Sequence, residues 1–284
     1  MPMIRKCMAV LPLAGAALIA AGCGGSNGSG SSQPAKTAKS VAAQPAPSGG
    51  AMPSVDTGAT LAVTQPRPGA VVSANSVPFD VRLSHFKVDC RFAGTAPRAG
   101  IGHYHVMLDG ALINMFCTDR SRVSLLDVKP GRHTLAFVPA DDAHADDLKA
   151  EKKVSFTYRP SKPLRAVRPI QSEGRPSIRI TSPRPGATVH GGFDLTVAPK
   201  NFRLSCALYG KKDIAGYGHW HANVDSTTKG MMGMGTMLGM SCRRSFHVSL
   251  AGIRPGKHTF YAILEDNQHA PTPKAQASVM LNVR

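Results

Sequence analysis

The chain has 284 residues, 42% of them hydrophobic and 18% charged. That is enough apolar surface to bury a core and too little charge for disorder throughout. The 28 Gly and 22 Pro speak against a helical bundle and for many short strands joined by turns, and one Trp, five Tyr and ten Phe against a large aromatic cofactor pocket. Lys and Arg exceed Asp and Glu by 17, with +12 of that excess in residues 159–284, a field that draws polyanions. No nucleic-acid reading motif accompanies it, so an anionic envelope is the expected partner and nucleic acid is not.

At the N-terminus, Arg5 and Lys6 precede an apolar run from Met8 to Ala21, too short to span a bilayer comfortably. Ala20-Ala21-Gly22-Cys23 then resembles the bacterial lipobox, with Ala20 where that motif most often has Leu. The resemblance implies that residues 1–22 are a lipoprotein signal peptide. Cys23 would be acylated (palmitate among the acyl chains), placing the protein at the cell membrane on its extracytoplasmic side. An ordinary cleaved signal with an incidental Cys is the alternative. Residues 23–57, rich in Gly, Ser, Ala, Pro and Gln, read as a flexible tether.

The remainder is an internal duplication. Gln65-Pro66-Arg67-Pro68-Gly69-Ala70 matches Ser182-Pro183-Arg184-Pro185-Gly186-Ala187, and Gly102-His103-Tyr104-His105 matches Gly218-His219-Trp220-His221. Asp109 and Asp225 follow; then Cys117 and Cys242, Pro130-Gly131 and Pro255-Gly256, His133-Thr134 and His258-Thr259, His144 and His269. The offset is 116 up to Asp109 and 125 from Cys117 onward, so one nine-residue insertion separates the copies. Strands are predicted at 59–64, 79–83, 133–138 and 153–158 and again at 177–181, 248–250, 258–264 and 277–283. About seven short strands per copy fit an all-β fold of two tandem Ig-like β-sandwiches, over residues 58–158 and 176–284, joined by a Pro- and Arg-rich linker at 159–175.

Cys90 with Cys117 and Cys206 with Cys242 occupy equivalent positions. In an oxidising compartment one disulfide per copy is expected, stabilising each by about 3–4 kcal/mol on the chain-entropy estimate. Thiolate metal ligation is the alternative, with Met115 and Met240 each two residues before a Cys.

A strand puts residues i and i+2 on one face. His103 and His105 therefore share a face, with Tyr104, Val106 and Leu108 turned to the core; His219 and His221 repeat this against Trp220, Ala222 and Val224. With His144 and His269 as third donors, each copy offers three neutral imidazoles suited to copper or zinc. Polar surface histidines are the competing reading, while His133 and His258, beside the turns, read as structural. The insertion adds Met231, Met232, Met234, Met237 and Met240 at a spacing with no helical or strand period, which reads as an exposed loop and not a core face. Such thioethers suit Cu(I) or the docking of a protein partner.

At these residues the chain resembles a group of exported bacterial domains carrying G-H-x-H, P-G-x-H-T and a late acidic-plus-His segment. The resemblance implies an Ig-like exported module and supplies no catalytic residue. The expected function is a lipid-anchored extracytoplasmic metal-binding protein, for copper and without catalysis, the metal being zinc in the other case. The alternative is a cell-surface interaction or structural module that binds an anionic envelope polymer or a protein. An enzyme ranks third, there being no G-x-S-x-G, phosphate loop or H-E-x-x-H.

Overall fold

A computed structural model describes residues 54–284. The signal sequence, Cys23 and residues 23–53 of the expected tether lie outside the described residues. Among those described, no helix is long and apolar enough to cross a membrane.

The first copy runs β1 (Thr60–Gln65), β2 (Ala70–Val72), β3 (Ser76–Ser84), β4 (Lys87–Val88), a 3-10 turn at Cys90–Phe92, β5 (Ile101–Leu108), β6 (Ala111–Phe116), β7 (Arg120–Ser124), β8 (Gly131–Asp141) and β9 (Lys152–Tyr158). The second repeats it as β10 (Ser177–Ser182), β11 (Thr188–Val189), β12 (Gly192–Lys200), β13 (Arg203–Leu204), a turn at Cys206–Leu208, β14 (Tyr217–Val224), β15 (Met237–Ser241), β16 (Ser245–Ser249), β17 (Gly256–Glu265) and β18 (Pro271–Val283). Nine strands per copy, not seven, form because β2, β4, β11 and β13 are only two or three residues long and carry no alternation of their own.

Each copy is a two-layer sandwich. In the first, β1-β3-β7 face the larger sheet β2-β9-β8-β5-β4, with β6 also paired to β5; in the second, β10-β12-β16 face β11-β18-β17-β14-β13, with β15 on β14. The fold is thus all-β, of the Ig-like sandwich type. Alternation along the strands fills the cores: Phe79 and Val81 of β3 meet Tyr104, Val106 and Phe137, and Leu195 and Val197 of β12 meet Trp220 and Phe260, all buried. The polar ends of the two central aromatics find equivalent acceptors. Tyr104 donates its hydroxyl to the Thr118 carbonyl at 2.5 Å, and Trp220 donates Nε1–H to the Arg243 carbonyl at 2.7 Å. Disulfides join Cys90 to Cys117 and Cys206 to Cys242, with Cα separations of 5.8 and 5.1 Å.

The described residues form one compact unit. The first copy's core cluster takes in Tyr209, Met234, Met237 and Met240 from the second. The Met-rich stretch is therefore no exposed loop, and Met237 and Met240 are not inserted, being the counterparts of Leu112 and Met115. Met231–Thr236 make a 3-10 turn, Met237–Ser241 are β15, and Met234, Met237 and Met240 are buried. Asn223 ties the insertion down by donating Nδ2–H to the Gly233 carbonyl at 2.7 Å. The glycine spacing hides a core strand because its apolar neighbours belong to the other copy.

Candidate metal centre

The three repeated motifs each have a separate local job. In G-H-x-H, the glycine lets β5 approach β8: a Cβ on Gly102 would run into the Ala140 carbonyl, and one on Gly218 into that of Glu265. In P-G-x-H-T, the histidine is structural, as expected. His133 Nδ1 bonds Asp109 Oδ2 at 2.6 Å and its Nε2 the Lys129 carbonyl at 2.8 Å, while Asp109 Oδ1 accepts from Thr134 N at 2.9 Å. His258, Asp225 and Arg254 repeat the clamp. In the late segment, Asp141 Oδ1 accepts from Ala143 N and Ala145 N, and Asp266 Oδ1 from Gln268 N and Ala270 N, folding a tight loop. That loop holds His144 and His269 at φ 64°, a left-handed conformation costly for a residue with a Cβ and frequent at functional sites.

These devices bring the predicted histidines together, and the surface reading of them is corrected: all six are buried, His103, His144 and His219 at 0% exposure. In the first copy, His103 Nε2 lies 3.1 Å from His105 Nε2, and His144 Nδ1 lies 3.5 Å from the same atom. In the second, His219 Nε2 lies 3.0 Å from His221 Nε2 and 2.9 Å from His269 Nδ1, and the last two are 3.4 Å apart. One nitrogen from each ring lies within 4.8 Å of the others in both clusters. A circle through the second set has a radius of about 1.8 Å. An ion at the usual metal–imidazole distance of about 2.0–2.1 Å would therefore sit roughly 1 Å above the plane, the pyramid of a tetrahedral three-histidine site.

The outer nitrogens decide what the inner ones present. His144 donates Nε2–H to the Met237 carbonyl at 2.7 Å, and His269 donates Nε2–H to the Leu112 carbonyl at 2.8 Å. His105 donates Nδ1–H to Asp146 Oδ1 at 2.7 Å. In the first copy, then, His105 Nε2 and His144 Nδ1 face one another as bare lone pairs, and the single remaining N–H of His103 cannot saturate both. Burial pushes the basicity of His103, His219 and His221 well down, that of His144 to about 3 and that of His269 down as well, and crowding by neighbouring imidazoles adds to it. These shifts favour the neutral ring, the state a metal ligand requires. The six histidines are buried, and four clefts of about 280 to 460 Å3 are lined by other residues.

Of the predicted thioethers, Met240 sits on β15 directly across from His221, as Met115 on β6 sits across from His105. Directly opposed residues share a sheet face, so each cluster has a buried thioether beside it. Met234 and Met237 belong to the shared core, and Met231 and Met232 lie in the 3-10 turn. The four cysteines are spent on disulfides and are not ligands. Sequence reasoning missed two carboxyls behind the clusters, Asp146 and Glu265; Glu265 Oε1 lies 3.7 Å from His221 Nδ1, and burial raises its carboxyl to about 9.

The two copies meet reciprocally here. Leu112 and Met237, whose carbonyls anchor the third histidines, are equivalent at the 125-residue offset, so each copy's third ring leans on the other copy's β6 or β15. A Cβ on Gly94 would stand 2.7 Å from the Met237 carbonyl carbon, and one on the equivalent Gly210 would strike the Leu112 carbonyl. The contact is isologous, as in a two-fold dimer.

No protein-family model matches the sequence, and no curated protein matches it. Among solved structures, it is similar to fibronectin(III)-like modules of Clostridium thermocellum CbhA at 12% identity, over 79% of this chain and 94% of that one, with a TM-score of 0.26. The N-terminal four Ig domains of Dscam1 match at 11% identity, over 79% of this chain and 46% of that one, with a TM-score of 0.22.

Proposed function

We propose that the protein is a lipid-anchored, extracytoplasmic metal-binding protein that holds two copper ions, one at His103, His105 and His144 and one at His219, His221 and His269, and carries out no catalysis. The observation that carries this reading is the convergence of three buried imidazole nitrogens in each copy, with the opposite nitrogens of His105 and His144 in the first copy held by fixed acceptors. Three imidazoles suit copper and zinc alike. The buried thioethers of Met115 and Met240 across from His105 and His221 favour the softer ion. Enclosure supports a holding role: His103, His105 and His144 leave no room for a substrate to reach a bound ion.

Titration of the full chain with Cu(I) under anaerobic reductant, with Cu(II) and with Zn(II) tests the reading. Two equivalents of copper should bind, and His103→Ala and His219→Ala should each remove one. Binding unaffected by either substitution overturns it; a clear preference for Zn(II) overturns the choice of metal. The anchor is tested separately, by palmitate labelling and membrane fractionation of Cys23→Ala.

A second reading has its own support. Lys162, Arg165, Arg168 and Arg175 stand exposed along the linker, a surface suited to an anionic envelope polymer. Retention on such a polymer should fall steeply with salt and survive a chelator.

A further inference from the structure

Both histidine clusters are buried, and a metal site is incomplete without a way in. Two clefts, of about 280 and 320 Å3, lie between the copies and repeat one design. At the 116-residue offset Cys90 of the first answers Cys206 of the second, and at 125 Leu238 and His247 answer Ile113 and Arg122.

The first cleft reaches both clusters. Met115 lines it from β6 and Met240 from β15, and these residues stand directly across from His105 and His221. Opposed residues share a sheet face, so each thioether is on the face of its own cluster. His247 of β16 lines the cleft with its side chain 70% exposed, and its Nδ1 donates to Asp194 Oδ1 at 2.9 Å. That bond leaves Nε2 as the nitrogen with a free lone pair. Gly192 keeps room for it, since a Cβ there would stand 2.8 Å from Nε2. The cleft's arginine, Arg91, is already held by Asp89, Nε to Oδ1 at 2.9 Å and Nη2 to Oδ2 at 2.7 Å.

The second cleft has Met240 but not Met115, and Arg122 takes the place of the imidazole, with Arg243 lining it too. A guanidinium repels a cation and has no lone pair to offer it. Two thioethers and an imidazole are by contrast a donor set for a soft ion.

We propose that the cleft at Met115, Met240 and His247 is a third metal site, an exchangeable one that takes Cu(I) from outside and passes it to both histidine clusters. The binding half stands on the cleft alone; the passing half rests on the metal reading. The transfer is a ligand exchange, in which a bond from the ion to a thioether sulfur breaks, one to an imidazole nitrogen forms, and the ion remains Cu(I).

The binding test uses Ag(I), a soft monovalent ion that keeps its oxidation state in air, titrated into the full chain with carbon-13 in its methionine methyls. In the variant His103→Ala with His219→Ala, whose clusters are broken, one equivalent should shift the Met115 and Met240 methyls together, and Zn(II) should shift neither. Adding Met115→Leu and Met240→Leu, swaps of similar volume that cores tolerate, should abolish that one-equivalent site. His247→Gln leaves both clusters whole and tests the passage independently. It should load them with Cu(I) from a chromogenic chelator severalfold more slowly, to the same endpoint. Methyls that stay still or shift separately, or a loading rate indifferent to His247→Gln, overturn the proposal. Ag(I) that moves both methyls in a chain whose imidazole nitrogen-15 signals never answer Cu(I) or Zn(II) overturns the metal reading and leaves the cleft site standing.

Discussion

Lys211 shows how tightly the single side chains of this molecule are drawn in. It is 5% exposed, its Nζ has no hydrogen-bond partner among the described residues, and burial lowers it from 10.5 to about 8, against the pull of Asp109 and Asp127. A lysine with a lowered native pKa destabilises the fold while both states are protonated. From about pH 8 to 10.5 the unfolded chain holds the proton that the native chain has released, so wild-type stability climbs across that range. Lys211→Met should gain about 1–3 kcal/mol at pH 7, seen as a melting point several degrees higher, and the gap should close by pH 10.5. At this scale the sequence disclosed all six clustered histidines, because the period of two and the duplicated spacing are local signals. It could not disclose Asp146 and Glu265. Comparing the copies set each against a residue without an acid, and only folding brings them behind the rings.

At the scale of elements, the halves meet along β6 and β15. Gly94 and Gly210 are indispensable to that approach, combining positive φ of 75° and 64° with backbone where a Cβ would lie. Gly94→Ala should cost at least about 2 kcal/mol and should also weaken ion binding, since it displaces the carbonyl that anchors His144; paired thermal melts and titrations would show both losses together. The disulfides act differently. Replacing Cys90 and Cys117 together by Ser should cost about 3–4 kcal/mol from the 27-residue separation while leaving the apo histidine spectra in place. Most of the longer strands were legible from alternation and Pro-Gly turns, but β6 and the nine-residue β12 were not among those predicted. The insertion was not legible either. Gly-rich spacing around five methionines looks like an irregular loop until the apolar surface it packs on is supplied from another part of the chain.

On the scale of the whole molecule, the two sandwiches behave as one body because they share core residues across their contact. The linker between them is mostly exposed and pinned near Ile170, whose N–H bonds the Ala215 carbonyl at 2.9 Å. Trypsin should cut after Arg165, which Ala166 follows, and the nicked chain should still run as one species in gel filtration under native conditions, separating only in denaturant. Two independent modules on a string would part at once. The duplication announced two sandwiches, but nothing in the spacing announced that they press their histidine faces together, since that contact joins backbone carbonyls and bare glycines to Tyr209 and to methionines whose spacing has no period. The symmetry of the arrangement also governs how it could come undone. His144 and His269 are propped in mirror fashion, each by its neighbour's main chain, so a force that parted the halves would knock away both supports in one motion. Any cargo lodged in this molecule would then be discharged as a pair, and a receiver that pried it open would have to take both at once.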